Sequence, residues 1–120
     1  MTASLFVSDR GTGSRTIVLL HGFGACHRVW DDIAADLAGT ARILAYDLPG
    51  HGASLEVPDA GSPRKAAQAI AANIAAHGLS RVHLVGHSMG GAIAMLTALA
   101  APGHIASLTL LAPGGVGPEI

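Results

Sequence analysis

Residues 82–96 read VHLVGHSMGGAIAML, which places a serine between an apolar run and a helical pattern. Gly86 and Gly90 lie two residues on either side of Ser88. On a tight strand-to-helix turn, such glycines remove side chains that would collide, and the turn pushes the serine hydroxyl out of the sheet. The helix N-terminus then directs backbone N–H groups and a positive dipole at the hydroxyl. The stretch predicts that Ser88 is a nucleophile, and the alternative is a loop serine in a glycine-rich chain.

The composition favours a single α/β domain. A chain of 120 residues suits one domain with a modest core. Half of the residues are hydrophobic but only 3% are aromatic, and aliphatic residues of this kind suit helices packed on a buried sheet. The formal net charge is -1 and the basic residues are scattered, which argues against a nucleic-acid surface or a basic membrane helix.

Three further features concern localisation and cofactors. The longest uncharged helical stretch, residues 89–101, is too short to span a bilayer. The N-terminus has no basic region, and Asp9 and Arg10 stand where the apolar core of a signal peptide would continue. Cys26 is the one cysteine, so neither a disulfide framework nor a cysteine-based metal site is expected. We predict a soluble cytoplasmic protein that uses no metal or cofactor and binds neither membranes nor nucleic acids.

Short apolar runs alternate with helical patterns along the chain. This alternation predicts a mostly parallel, doubly wound sheet with helices on both faces. The predicted helices begin near residue 28, at the capping pair Ser62–Pro63 and at Met89, and they end at Gly39, Gly78 and Ala101. The predicted strands are residues 4–7, 16–20, 42–46, 81–85 and 107–111.

Each elaborate loop follows a predicted strand. The loops read HGFG at residues 21–24, DLPGHG at residues 47–52 and GHSMGG at residues 86–91. In open parallel sheets, ligands bind beyond the carboxyl ends of the strands. The three loops therefore predict a binding site at that edge.

A nucleophilic serine needs a base and two converging N–H donors for the oxyanion. On a strand–serine–helix turn, one donor belongs to the residue after the serine and the other to an earlier strand-end loop. Met89 and Phe23 occupy these two places. The alternative for residues 21–24 is an ordinary glycine turn. His21 is expected to brace this loop by hydrogen bonding and not to act as the base.

The motifs HGFG, DLPGHGAS and VGHSMGG, in this order and spacing, resemble the N-terminal half of an α/β-hydrolase-fold enzyme. The resemblance implies that Ser88 is the nucleophile and that the N–H groups of Phe23 and Met89 form the oxyanion hole. It also implies that Asp47 ties down its own loop and that no cofactor or metal takes part. Serine at the turn indicates the serine-nucleophile branch, because dehalogenases and epoxide hydrolases of this fold carry aspartate there.

The closing residues 108–120, LTLLAPGGVGPEI, narrow the resemblance further. They are similar to the corresponding segment in the hydrolase-like domain of acetoin dehydrogenase acetyltransferase subunits. Members of that group move an acetyl group from a lipoyl thioester. The segment is also close to esterases and carbon–carbon-bond hydrolases of the same superfamily.

The acid and the histidine of a catalytic triad are not evident in the sequence. In this fold they follow the serine in the order acid, then histidine. After Ser88 the chain has one acid, Glu119, which precedes no histidine, and one histidine, His104, which is expected at the opposite edge of the sheet. His87 is expected to point away from the serine hydroxyl. Ordinary loop, helix-end or strand positions are expected for the other histidines, namely His27, His51, His77 and His83.

We therefore expect residues 1–120 to be the N-terminal part of a single α/β-hydrolase domain, incomplete on its C-terminal side. Family members continue through further strands and usually a cap, which would supply the acid and base. The strand at 107–111 is expected to be an exposed edge in this chain. Without a base, the chain alone is expected to be nearly inactive.

Three functions follow from these features. The leading hypothesis is hydrolysis of an ester, lactone, thioester or related small-molecule carbonyl compound through an acyl-enzyme on Ser88. The first alternative is acyl transfer to a thiol or alcohol, as in the acetyltransferase subunits. The second alternative is a catalytically dead, truncated hydrolase-like protein that only binds. The sequence predicts neither the substrate nor the oligomeric state.

Overall fold

The structure, a computed structural model, describes residues 4–58 and 61–114. Five strands and three α-helices alternate in the order that the apolar runs predict. The strands are β1 (Val7–Arg10), β2 (Arg15–Leu20), β3 (Ala41–Tyr46), β4 (Val82–His87) and β5 (Ile105–Leu111). The helices are α1 (Asp31–Leu37), α2 (Pro63–Ala76) and α3 (Met89–Ala100), with short 3-10 turns at His27–Trp30, Gly52–Ser54 and Pro102–His104.

The strands form one sheet in the order β1-β3-β2-β4-β5. Strands β3, β2, β4 and β5 are parallel, and β1 pairs antiparallel with β3. The predicted α/β fold with a mostly parallel sheet is confirmed. After β2 the chain adds β3 on one side of β2, and it then crosses back to add β4 on the other side. The direction in which strands are added to the sheet therefore reverses between β2 and β4. Open α/β sheets bind ligands at the carboxyl ends of the strands at such a reversal.

Apolar side chains fill both faces of the sheet. On one face, α2 and α3 contribute Ile70, Ile74 and Ile93, which pack with Val18 and Leu84 in the larger core. On the other face, Trp30 and Ala34 pack on alternating residues of β2 and β3 in the smaller core. Strands buried on both faces carry the continuous apolar runs that the sequence shows.

The first strand differs from its prediction. It covers Val7–Arg10 instead of residues 4–7, and it runs antiparallel to its neighbour. Residues 11–14 link β1 to β2 and are too few to carry the chain back along the sheet, since parallel strands need a crossover of a dozen or more residues. Strand β1 therefore runs antiparallel to β2 and to β3, which lies between them. The link passes close to the start of β3, because a Cβ at Gly11 would lie 2.3 Å from the Ala41 carbonyl oxygen.

The other boundaries shift by up to three residues, and the largest shift is the start of α1 at Asp31, after a 3-10 turn at His27–Trp30. The Ser62 hydroxyl accepts a hydrogen bond from the Lys65 N–H at 3.2 Å, which confirms the predicted cap of α2. Strand β4 extends to His87 because ladder pairing continues through Gly86, opposite Leu20, despite its missing side chain.

Strand β5 forms the edge of the sheet within the described residues, as the sequence predicts. Leu108 is 39% exposed and Leu111 is 43% exposed, although both are large apolar side chains. The longest described helix, α2, has 14 residues. Among the helices at 4–58 and 61–114, none has the length and hydropathy to cross a bilayer.

Helix α3 approaches the sheet so closely that two glycines are required. A Cβ at Gly86 would lie 2.3 Å from the Gly90 carbonyl oxygen. A Cβ at Gly90 would lie 2.3 Å from the Leu20 carbonyl oxygen and 2.4 Å from that of His21. Because these contacts are with backbone atoms, neither can be relieved by a side-chain rotation. The two glycines thus fix the strand-to-helix junction against the ends of β2 and β4.

Replacing Gly90 by alanine should lower the free energy of unfolding by about 1–3 kcal/mol, the usual cost of overpacking. The loss should appear even though alanine is favoured over glycine in helices by about 1 kcal/mol. Urea-induced unfolding, followed by fluorescence of Trp30, the one tryptophan, measures the change.

Gly39→Ala is the matched control. No atom lies within 4 Å of a Cβ at Gly39, so its stability should stay within about 0.5 kcal/mol of the wild type. Equal effects of the two substitutions would contradict the close-packing explanation.

Candidate active site

Ser88 occupies a strained turn between β4 and α3. Its φ is 56° and its ψ is -121°, a conformation that residues with a side chain rarely adopt. Such strain costs about 1–3 kcal/mol and persists only where the surroundings enforce it. The predicted tight strand–serine–helix turn is therefore present at Ser88.

Backbone hydrogen bonds hold this turn in place. The Ser88 N–H donates to the Leu111 carbonyl at 3.0 Å, which ties the turn to the end of β5. The Ser88 carbonyl accepts from the N–H of Gly91 at 2.9 Å and from the N–H of Gly114 at 2.8 Å. Together with the glycine contacts, these bonds leave the turn little freedom to relax.

The HGFG loop lies against the serine. A Cβ at Gly22 would lie 3.2 Å from Ser88 Cβ and 3.4 Å from His87 Nδ1. Ser88 is partly exposed, His87 is exposed, and within 4–58 and 61–114 the Ser88 hydroxyl makes no hydrogen bond. The hydroxyl is thus accessible at the point where the order of strands reverses.

The two predicted oxyanion donors flank this point. The N–H of Met89 is the first of α3, and the first N–H groups of a helix have no intrahelical acceptor. Phe23 follows Gly22 directly in the loop that abuts Ser88. Among the described turns and caps, no hydrogen bond is donated by the N–H of Phe23 or Met89. Their role as oxyanion donors stays a prediction.

His21 braces the loop, as the sequence predicts. It is fully buried, and its Nε2 accepts a hydrogen bond from the Leu48 N–H at 3.0 Å. The other nitrogen must then carry the proton, so Nδ1–H donates to the Gly22 carbonyl at 2.7 Å. Burial lowers the pKa of His21 below its ordinary value, which keeps the ring neutral. With both nitrogens bonded to the backbone, His21 has no lone pair left for a catalytic proton.

Asp47 ties down the loop after β3, also as predicted. The carboxylate accepts the His27 N–H at 2.7 Å, the His27 Nδ1–H at 2.8 Å and the Ala53 N–H at 2.8 Å. Burial alone would raise the pKa of Asp47, but these hydrogen bonds outweigh it, so the pKa lies below its ordinary value. Asp47 is therefore ionised and structural.

The bond between His27 and Asp47 is a feature that sequence reasoning missed, because His27 was expected to be an ordinary loop residue. A histidine oriented by a carboxylate resembles part of a catalytic triad. However, Asp47 follows β3 and Ser88 follows β4, and two strand spacings, about 10 Å, separate those positions. Within the described residues no hydrogen bond or ring contact joins His27 to Ser88. The pair belongs to the loop architecture.

Cys26, His27 and Asp47 are the described residues that come nearest to a metal site. Their Sγ, imidazole nitrogen and carboxylate oxygen lie within 4.8 Å of one another. The Asp47 oxygens already accept three N–H groups, and a metal ion would have to displace the imidazole. The hydrogen bonds account for this arrangement without a metal.

Three further histidines among the described residues, His77, His83 and His104, bond to partners away from the serine. His104 binds the Leu79 carbonyl through Nδ1 at 2.8 Å, in the turn just before β5. The strand rises roughly 3.3 Å per residue, so this turn and Ser88 lie about 20 Å apart at opposite edges of the sheet. His77 bonds the Asn73 carbonyl and His83 bonds the Ser107 hydroxyl, which are ordinary helix-end and strand positions. Glu119 lies outside the described residues.

A groove between α2 and α3 is separate from this site. It is lined by Arg64, Gln68, Leu96 and Leu99, together with two alanines. The outer faces of the two helices form it, and it includes neither Ser88 nor the HGFG loop.

Comparison with known proteins identifies the fold family. The profile of the family described as alpha/beta hydrolase fold matches residues 15–119. The chain belongs to the α/β-hydrolase fold family. Within this fold, the Ser88 turn follows β4 and the HGFG loop follows β2.

Relatives of the chain differ in the reactions that their names describe. A dihydrolipoyllysine-residue acetyltransferase component of the acetoin cleaving system from Pseudomonas putida is 38% identical over 110 residues, or 92% of this chain and 30% of the relative. A 2-hydroxy-6-oxononadienedioate/2-hydroxy-6-oxononatrienedioate hydrolase from Burkholderia vietnamiensis is 35% identical over 93% of this chain and 41% of its own.

Among solved structures, a thermophilic esterase from Thermogutta terrifontis is similar to the chain with a TM-score of 0.87 and 28% identity. The match covers 96% of this chain and 42% of the esterase. The chain thus spans less than half the length of each of these three proteins.

Asp47→Asn should lower the free energy of unfolding by about 1–3 kcal/mol at neutral pH, because an amide NH₂ would face a backbone N–H that now has an acceptor. The folded pKa of Asp47 is below its ordinary value of 3.8. The carboxylate's contribution is therefore complete above that value and is lost as the pH falls through the folded pKa. The difference between wild type and variant should narrow below pH 3.8 in urea titrations.

Asp36→Asn serves as the control, since Asp36 is exposed on α1. Its stability should match the wild type within about 0.5 kcal/mol at every pH. A difference for Asp47→Asn that stays constant into strong acid would contradict an ionised, hydrogen-bonded Asp47.

Proposed function

We propose that the protein is a serine-nucleophile hydrolase that acts on an ester, lactone, thioester or related small-molecule carbonyl compound. The observation that carries the proposal is the conformation of Ser88. A strained serine, whose hydroxyl makes no hydrogen bond to residues 4–58 and 61–114, stands at the N-terminus of α3, where the strand order reverses. Strain of this kind clusters at functional sites, because a merely structural serine gains nothing from it.

The reaction proceeds through an acyl-enzyme. The Ser88 oxygen attacks the carbonyl carbon while its proton passes to a histidine base, and that base returns the proton to the departing alcohol or thiol. Water then attacks the acyl carbon, gives its proton to the base and releases the acid, and Ser88 recovers its proton. The base and its acid are not among the described residues.

The N–H groups of Met89 and Phe23 are the proposed donors to the oxyanion. As the carbonyl carbon becomes tetrahedral, negative charge develops on the carbonyl oxygen, beside the positive end of the α3 dipole. Loss of one such donor costs about 3 kcal/mol of transition-state stabilisation in serine hydrolases. In this mechanism the site binds an acyl substrate and water, and the reaction uses no cofactor.

We also propose that residues 1–120 are the N-terminal part of one α/β-hydrolase domain. The support is the share of each relative that the chain spans, which is 30% for the acetyltransferase and 41% for the dienedioate hydrolase. The exposed apolar side chains of β5 also fit an interior strand of a larger sheet.

Acyl transfer is the second candidate, and the 38% identity to the acetyltransferase component favours it. The chemistry on Ser88 is the same until the acyl-enzyme forms, and a thiol then replaces water as the acceptor. Product analysis with dihydrolipoamide present distinguishes the two functions, since a hydrolase releases the free acid and a transferase releases the acyl thioester.

A fluorophosphonate probe should label Ser88 in the complete gene product, and Ser88→Ala should abolish both the label and turnover of an activated ester. The hydroxyl is the attacking group, so its loss leaves only the small rate that arises from binding and the oxyanion hole. Tandem mass spectrometry of the peptide that starts after Arg81 locates the label.

Ser80→Ala is the control, because Ser80 is exposed in the loop before β4. It should retain both label and turnover. Unchanged ester turnover in Ser88→Ala would refute the assignment.

A further inference from the structure

Two histidines join the HGFG loop to the loop after β3, one from each loop. His21 accepts the Leu48 N–H through Nε2 at 3.0 Å. In return, His51 accepts the Gly24 N–H through Nε2 at 2.9 Å. The rings lie 5.1 Å apart between centroids, tilted by 57°. Each loop is therefore held by a ring from the other.

The tautomer of His51 follows from its contacts. Because Nε2 accepts an N–H, a neutral ring carries its proton on Nδ1, and Nδ1–H donates to the Pro49 carbonyl at 3.1 Å. His51 is 9% exposed, and its ring is nearly perpendicular to that of Phe23, with the ring centroids 5.7 Å apart and an interplanar angle of 82°. Protonation would place an N–H on Nε2 against the Gly24 N–H and break this bond.

Both peptide groups next to Phe23 are held by these rings. His21 Nδ1–H binds the Gly22 carbonyl, which belongs to the peptide whose N–H is that of Phe23. In a trans peptide the carbonyl and N–H point in opposite directions, so this bond, together with the bond from the Ala25 N–H to the same carbonyl at 3.2 Å, sets the direction of the Phe23 N–H. His51 binds the N–H of the next peptide, at Gly24. Gly24 has a φ of 77°, and glycine adopts many backbone conformations without steric cost, so the hydrogen bond to His51 restricts a peptide that is otherwise free to rotate.

We propose that His51 is a positioning residue for the oxyanion donor at Phe23. The role rests on the proposed function, since it assumes that the Phe23 N–H receives the oxyanion. His51 touches no reacting atom in this role. It keeps the peptide after Phe23 from rotating, so that the Phe23 N–H stays directed toward Ser88 before substrate arrives.

Ring ¹⁵N NMR of the wild-type protein tests the contact first. His51 should show a protonated Nδ1 and a bare Nε2. The opposite tautomer would overturn the proposal.

Amide exchange in two variants separates positioning from general stability. His51→Leu removes the acceptor, and His51→Gln places an amide oxygen near the position of Nε2. Exchange at Gly24 should rise about tenfold in His51→Leu and return toward wild type in His51→Gln. The amides of Leu48 and Ala53, which His21 and Asp47 hold, should change less than about twofold. Equal acceleration at all three amides would mean that His51 only supports the fold, and it would overturn the proposal.

The rate of phosphonate labelling at Ser88 in the complete gene product tests the catalytic consequence. It should fall about tenfold in His51→Leu and recover in His51→Gln, because a misdirected donor stabilises the oxyanion poorly. If the wild type labels at Ser88 and His51→Leu labels at the same rate, the positioning role is wrong. If the wild type does not label at Ser88, the proposed function is wrong, whatever the exchange at Gly24 shows.

Discussion

The backbone of α3 meets the carboxyl ends of β2 and β4 without space for a side chain, and the arrangement of the whole site depends on this contact. Only glycine fits at positions 86 and 90, because a Cβ at either would lie 2.3 Å from a carbonyl oxygen. With helix and strand this close, Ser88 must turn the chain in a single residue and adopts a φ of 56°. The strain of the serine thus follows from the packing of the layers.

The same contact brings the loops together. The HGFG loop continues from β2, which lies beside β4, so Gly22 reaches Ser88 directly. The loop after β3 is one strand further from Ser88, because β2 lies between β3 and β4. It contacts the HGFG loop through hydrogen bonds of His21 and His51. Asp47 accepts the Ala53 N–H in its own loop and two N–H groups of His27 in the segment after β2, and His51 supports the HGFG loop. The loops that follow β2 and β4, where the strand order reverses, therefore form the site, and the loop that follows β3 supports it.

The sequence predicts the fold well where apolar patterning determines structure. The run at 16–20 reads as a buried strand because β2 is covered on both faces, and Ser62 and Pro63 mark the start of α2 through local capping chemistry. Strand β1 was misplaced because its sequence, VSDR, has little apolar signal and pairs through its backbone. The bonds of His27 and His51 were missed because their partners are 20 and 27 residues away, at distances that only the path of the chain determines.

The crystal structure of the complete gene product with a phosphonate bound covalently tests the central claim most directly, because the adduct imitates the tetrahedral intermediate. The account predicts phosphorus on Ser88 Oγ, with one phosphonyl oxygen about 2.7–3.1 Å from both the Phe23 and the Met89 nitrogen. An adduct on another residue would contradict it. So would a phosphonyl oxygen on Ser88 that faces solvent and bonds neither N–H group.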